Sequence, residues 1–269
     1  MRIGIVSDIH ANLPALQAAL TVLEREAVDI YLCPGDIVGY GPWPNECVER
    51  VAALGAVCVA GNHDLVATKR LPPDRCDRLA QKTLRWTAEV LTDDSRGYLA
   101  GLPARWSRDD LMMTHGSLRG PEEYVTAPRA RQELTRLEGV LPGVNLLLLG
   151  HTHRSLAYGT STGVQLEGRD GSIRLDPHER YVLNPGSVGQ ARERAVVARF
   201  MILDLEQRRA IFHAVSYEHS RCRQTLRAHR LPPRAYHSNP AGVRARGRAV
   251  RRWIRRRVRR ARWTHRIRP

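Results

Sequence analysis

Apolar and polar positions in the first half of the chain switch repeatedly between two periods. Ile3 to Val6 is broken by only one small residue, Gly4, and residues 2–7 read as a strand buried on both faces. Asn12 then stands where a helix cap is needed, and Leu13, Leu16, Leu20 and Leu23 follow on one stripe. Residues 29–33 read as a second strand, ended by Pro34-Gly35. Pro44 opens a helix through Leu54, and residues 57–60 form a third short strand, stopped by Gly61. Strands alternating with helices predict a parallel sheet. Residues 76–91 read as a further helix, and residues 111–114 and 144–149 as further buried strands.

Beyond His153 the pattern changes. Short runs at 173–175, 181–183, 196–203 and 210–215 are separated by Gly and charged turns, which predicts a second, mostly antiparallel sheet. Residues 217–230 read as a last helix, stopped by Pro232-Pro233. The fold class expected is therefore α/β (α+β), with two sheets and flanking helices. A folded body over residues 1–232 is expected, followed by a tail over 233–269.

Charge sharpens that boundary. The chain carries +16, but no Asp or Glu follows Glu218, and residues 233–269 hold 14 Arg and no Lys. The rest of the chain is left at only +2, so the basic character belongs to the tail. Val243, Val250, Ile254 and Ala261 fall on one helical face there, flanked by Trp253 and Val258. The tail is expected to be either a disordered charge run or a basic amphipathic helix. Nucleic acid and an anionic membrane surface are its candidate partners. No apolar run reaches membrane-span length, and Asp8 cuts the first one too short for a signal peptide. Five cysteines, an odd number with no C-x-x-C pair, fit a reducing, cytoplasmic compartment.

Five short segments share one arrangement, in which a strand ends and ligand-type residues follow at once. They are Ser7-Asp8-Ile9-His10, Gly35-Asp36, Gly61-Asn62-His63-Asp64, Thr114-His115-Gly116 and Gly150-His151-Thr152-His153. Taken singly, each is compatible with an ordinary polar turn. Sites in open α/β sheets form at the carboxyl ends of strands, so all five can converge. Carboxylate, imidazole and amide oxygen without thiolate suit Mn, Fe, Zn, Ni or Co. Asp8 and His10 are two apart and face one side of an extended tip, and His151 and His153 repeat that spacing. Asp36 can bridge two ions because a carboxylate has two oxygens.

The ordered set D-x-H, G-D, G-N-H-D, H-G and G-H-T-H resembles the calcineurin-like metallophosphoesterases. It is most similar to a branch of small bacterial and archaeal predicted phosphodiesterases. The first motif continues as Asp8-Ile9-His10-Ala11-Asn12-Leu13-Pro14-Ala15-Leu16. The second continues as Gly35-Asp36-Ile37-Val38-Gly39-Tyr40-Gly41-Pro42-Trp43-Pro44-Asn45-Glu46. His115-Gly116-Ser117 and Asn184-Pro185-Gly186-Ser187-Val188-Gly189-Gln190 also resemble that branch. Many members of the wider superfamily carry Asp or Asn where this chain has Gly39, a departure the branch accepts. The resemblance runs from Met1 to about Pro233 and leaves the tail outside.

The resemblance implies a calcineurin-like sandwich of two mixed sheets between layers of helices. It makes Asp8, His10, Asp36 and His153 the ligands of one divalent metal, and Asp36, Asn62, His115 and His151 those of the other. His63 becomes the residue facing the scissile ester oxygen, with Asp64 orienting its ring. Two such metals clamp the attacking and leaving sides of an in-line displacement. The expected activity is hydrolysis of phosphodiesters or phosphomonoesters, of nucleotides or similar small substrates, by metal-activated hydroxide. Two other readings stand beside it: a metal-binding scaffold without catalysis, and a nucleic-acid-binding protein that works through its Arg-rich tail.

Overall fold

The computed structural model describes residues 1–239. The expected tail helix, with Val243, Val250, Trp253, Ile254, Val258 and Ala261, lies outside them. The first sheet begins as the sequence predicts. Strands β1 (Arg2–Ile5), β2 (Ile30–Cys33) and β3 (Val57–Cys58) pair in parallel. Helices α1 (Leu13–Arg25) and α2 (Pro44–Ala53) make the crossovers. The leucine stripe of α1 buries Leu16, Leu20 and Leu23, and the Asn12 side chain accepts the Ala15 amide as expected of a cap.

Beyond this the chain distributes its strands in a way the linear pattern does not reveal. Strands β4 (Arg105–Arg108), β5 (Leu111–Thr114) and β6 (Leu146–Leu148) build a second sheet. It is completed by β7 (Ser155–Gly159), β8 (Gly163–Glu167) and β10 (Tyr181–Pro185), in the order β4-β5-β6-β10-β7-β8. Strands β9 (Gly171–Arg174), β11 (Ala198–Asp204) and β12 (Arg209–Val215) return to the first sheet, in the order β3-β2-β1-β11-β12-β9. The expectation that all runs past His153 form one antiparallel sheet is therefore corrected. Three of the observed strands there go to each sheet, and both sheets are mixed. The reason is burial: β11 is buried along its whole length and is the neighbour β1 needs on its free side.

Ile5, Leu32, Val59, Met113, Leu148, Leu183, Met201 and Phe212 fill the space between the sheets. Outside the first sheet lie α1, α2, α3 (Asn62–Ala67), α4 (Arg78–Val90), α5 (Asp93–Gly101) and α7 (His219–Ala228). Outside the second lies α6 (Ala127–Val140). The result is the four-layer sandwich. Helices α3, α5 and α6 and strands β4, β7 and β8 go beyond the elements the sequence predicts. The only hydrophobic residues α6 buries are Ala130, Leu134 and Leu137, beside a buried Glu133 that accepts the Leu118 amide and pairs with Arg136. So narrow an apolar stripe gives little periodic signal.

Packing does not stop at Pro232. Ala235 and Tyr236 are buried, the Gln190 amide donates to the Ala235 carbonyl at 3.0 Å, and Ser238 N donates to Ala191 O. The boundary expected after Pro232 falls inside this packed stretch.

Candidate metal centre

All five motif segments leave strands that run in parallel within their own sheet. β1, β2 and β3 do so in the first sheet, and β5 and β6 in the second, where β10 joins them. Their carboxyl ends meet at one edge of the sandwich. The loops there are fastened to each other by main chain: Asp8 N donates to Gly35 O, His10 N to Asp36 O and Ala11 N to Ile37 O, at 2.9–3.0 Å. The second sheet joins through His151 N, which donates to the Asp8 carboxylate at 3.1 Å. Asp8, His10, Asp36, His151 and His153 all have φ between +49° and +64°. That left-handed region is unfavourable for residues with a Cβ, and it persists only where surroundings over-determine it.

Two groups of ligand atoms result, each within 4.8 Å: Asp8, His10, Asp36 and His153, and Asp36, His115 and His151. All are buried. Asn62 extends the second group, its Oδ1 lying 3.1 Å from His115 Nε2. Asp36 belongs to both groups, but it does not share its two oxygens between them as the sequence suggests. Oδ1 accepts the His63 backbone amide at 2.8 Å. Oδ2 alone stands between the groups, 3.6 Å from His10 Nε2 and 3.3 Å from His115 Nε2.

The imidazoles are pinned by carbonyls, which only accept hydrogen bonds. His10 Nδ1 donates to Val38 O, His115 Nδ1 to Pro34 O and His153 Nδ1 to Gln190 O, at 3.2, 2.7 and 2.6 Å. His151 is turned the other way and donates its Nε2 hydrogen to Glu122 O at 3.0 Å. In its neutral form each ring then keeps one lone pair on the opposite nitrogen, the arrangement of metal-ligating histidines. His10 Nε2 and His153 Nε2 lie only 3.1 Å apart. Two neutral nitrogens so placed repel unless a cation lies between them. Ligands about 2.0–2.1 Å from one ion sit roughly 3–3.4 Å apart at ordinary coordination angles. The donor set therefore fits divalent metals.

Electrostatics agree. Burial pulls His10, His63, His151 and His153 down, His63 to about 4 and His151 to about 3. Burial opposes the charge of Asp8 and Asp36 too, yet the imidazoles around them hold both below the usual carboxylate range. His115 is the exception: burial pulls it down, but the Asp36 carboxylate outweighs this and lifts it to about 9. One imidazolium thus faces two buried carboxylates, and incoming cations offset the difference.

His63 sits at the rim of this centre, its ring 4.7 Å from those of His10 and Tyr40. Its Nδ1 is buried without a hydrogen-bond partner. The expectation that Asp64 orients that ring is corrected. Asp64 Oδ2 accepts the amides of Asp36 and Gly61 at 2.9 Å, and Oδ1 accepts that of Val38 at 3.1 Å. It ties the loops after β2 and β3 together. Burial, with the nearby Asp36 charge, raises it to about 7. Gly39 explains the departure at its position: with φ at +92°, it passes so close to His63 that any Cβ would strike Nδ1. The Asn184–Gln190 loop holds the other side. Asn184 donates to Gly150 O at 2.6 Å, and Ser187 Oγ donates to Asp8 O at 2.9 Å.

The comparisons decide the family. A family model described as calcineurin-like phosphoesterase matches residues 1–155, more than half of the chain. The chain belongs to the calcineurin-like phosphoesterases. It is 30% identical over 236 residues to an uncharacterized protein of Methanocaldococcus jannaschii, covering 86% of this chain and 93% of that one. A crystal structure of a metallophosphoesterase from Sphaerobacter thermophilus matches with a TM-score of 0.76 at 35% identity, covering 88% of this chain and 97% of that one. A hypothetical protein from Pyrococcus horikoshii shares the fold, with a TM-score of 0.72 at 22% identity, over 87% and 96% of the two chains. Membership implies a metal-dependent phosphoesterase, and the buried His and Asp groups are its metal-site residues. Among the described residues no helix is long and apolar enough to cross a membrane. The five cysteines are all unpaired.

Proposed function

We propose that this phosphoesterase is dinuclear and hydrolyses phosphodiester or phosphomonoester bonds of nucleotides or similar small substrates. The supporting observation is that Asp36 Oδ2 is shared between two ligand groups that otherwise use different residues. Asp8, His10, Asp36 and His153 would hold one ion, and Asp36, Asn62, His115 and His151 the other. Two divalent cations held there would supply the hydroxide nucleophile and neutralise charge on the phosphoryl oxygens. The carbonyl-pinned rings present their lone pairs without rearrangement, and Asp64 keeps the loops carrying Asp36 and Asn62 in register. His63 is neutral near pH 7, since burial depresses it. As a neutral ring it offers one N–H to the leaving oxygen, with Gly39 allowing its position. Manganese is the first metal to supply, given the carboxylate and amide oxygens, with zinc, iron and nickel next, given the imidazoles. The buried unpaired thiols accord with a cytoplasmic location.

The test is Asp36→Asn. Replacing the shared carboxylate should empty at least one metal position and abolish turnover of generic phosphate esters. An active Asp36→Asn variant with two full metal equivalents by elemental analysis would overturn the dinuclear reading.

A further inference from the structure

Next to the metal centre lies a second recess that this reading leaves unused. It is a cavity of about 210 Å³ lined by His153, Arg154, Arg192, Glu193, Arg194 and Arg199. One water needs only about 10–15 Å³ measured in the same way, so the recess has room for a polyatomic anion. Four guanidinium groups, which do not lose their protons in proteins, face one carboxylate. Glu193 is already committed, accepting Arg199 Nε at 2.5 Å and Nη2 at 2.8 Å. Arg199 is only 6% exposed, and its remaining nitrogen, Nη1, is buried with no hydrogen-bond partner. A buried charged donor without an acceptor is the costly case.

The other arginines are also poorly satisfied. Arg154 meets Glu167 at 3.5 Å in a pair that is about half exposed, where little is gained. Arg192 donates to Tyr124 Oη at 3.1 Å and turns Nη2 toward His153 Nε2 at 3.4 Å. A metal on that nitrogen takes its lone pair, so the guanidinium must then find another acceptor. The fold holds Arg199 closely. Gly186 has φ of +89°, and a Cβ on it would press on Arg199 Cβ and Cδ at 2.9 and 3.1 Å. Arg199 N donates to Ser187 O. The loop that holds Asp8 and His153 therefore also seats the buried arginine.

We infer that the recess binds a second phosphate of the substrate, so that the preferred substrate is an ester bearing a further phosphate group near the scissile one. This rests on the phosphoesterase reading. A phosphate matches the planar fork of arginine and offers enough oxygens for several guanidinium groups at once. His153 is common to the metal centre and the recess wall, so one small molecule reaches both. Nucleoside 3′,5′-bisphosphates have this form, and nucleoside diphosphates carry the second phosphate through an anhydride on the esterified one.

The experiment uses the full-length, manganese-loaded protein with AMP, ADP, adenosine 3′,5′-bisphosphate and bis(p-nitrophenyl) phosphate. At least one two-phosphate nucleotide should exceed AMP in kcat/KM by tenfold or more. Arg192→Met and Arg154→Met should each reduce that ratio several-fold, and Arg199→Lys should reduce it at least tenfold, with folding checked by circular dichroism. No preference in the wild type, or an equal loss on all substrates in the variants, overturns the inference. Free phosphate is tested as an inhibitor of bis(p-nitrophenyl) phosphate hydrolysis. If the variants change only that inhibition, the occupant is free phosphate and the substrate assignment fails. If no ester is hydrolysed at all, the phosphoesterase reading fails instead. Calorimetric titration with pyrophosphate in the presence of chelator then decides the recess. One equivalent bound, weakened at least tenfold by Arg192→Met, keeps the second-phosphate site, and no binding removes it.

Discussion

Single residues at this centre do unequal jobs. His63 touches no carboxylate that would hold its proton in place, and burial lowers it to about 4. The same depression holds for the ligand-type rings of His10, His151 and His153. What sets His63 apart is its place outside both ligand groups, from which we propose that it donates to the leaving oxygen. His63→Ala should keep the metal content and lower turnover by roughly 100- to 10,000-fold, most for poor leaving groups. Loss of metal in that variant would make His63 a ligand. His115 carries the opposite lesson. Asp36 raises it to about 9, so below that pH a cation must displace its proton. Metal affinity at that position should rise about tenfold per pH unit between pH 6.5 and 8.5, because one proton leaves for each ion bound. Calorimetric metal titrations across that range should give a slope near one, and a flat response would mean His115 is already neutral.

At the scale of elements, the site is a property of loop pairs. The chemically active loops follow short strands and are held by neighbouring loops, and those after β2 and β3 are further tied together by the Asp64 carboxylate. The positive φ values of Asp8, His10, Asp36, His151 and His153 are maintained by those bonds. Gly39 is a position where this arrangement bears directly on the His63 ring. Gly39→Ala places a Cβ in an unfavourable φ region and against the His63 ring. It should destabilise the fold by about 1–3 kcal/mol. It should also lower turnover at least tenfold while metal content stays intact. Unchanged kcat with an unchanged melting temperature would show that the loop relaxes freely.

For the whole molecule, the question is where the folded body ends. Ala235 and Tyr236 are buried and Gln190 bonds the Ala235 carbonyl. A cut that spares these contacts must lie beyond Ser238, for example after Asn239. We expect truncation after Asn239 to leave turnover of a small ester near the full-length value. It should remove salt-sensitive binding to DNA, RNA and anionic vesicles, because residues 240–269 hold 13 of the 14 arginines counted from Pro233 onward. Truncation after Pro232 should lower the melting temperature as well. Equal polyanion binding by full-length and truncated proteins would place that affinity on the body.

The sequence by itself determined the residue types of the centre and the order in which they follow strands. Asp8, His10, Asp36, Asn62, His63, His115, His151 and His153 were legible because each stands just past an apolar run and a turn. Local chemistry writes such signals directly into the chain. The parallel start of the first sheet was legible for the same reason, through the periodicity of β1, α1 and β2. Tertiary structure alone decided which sheet each later strand joins, since the partners that β9, β11 and β12 pair with, and those of β7, β8 and β10, are chosen by packing and not by the pattern within each run. It also decided what each polar atom does: that Asp36 presents one oxygen, that Asp64 serves three backbone amides, and that Arg199 is buried beside the centre. Hydrogen-bond partners far apart in sequence are chosen by the packing of loops, and no spacing along the chain encodes them.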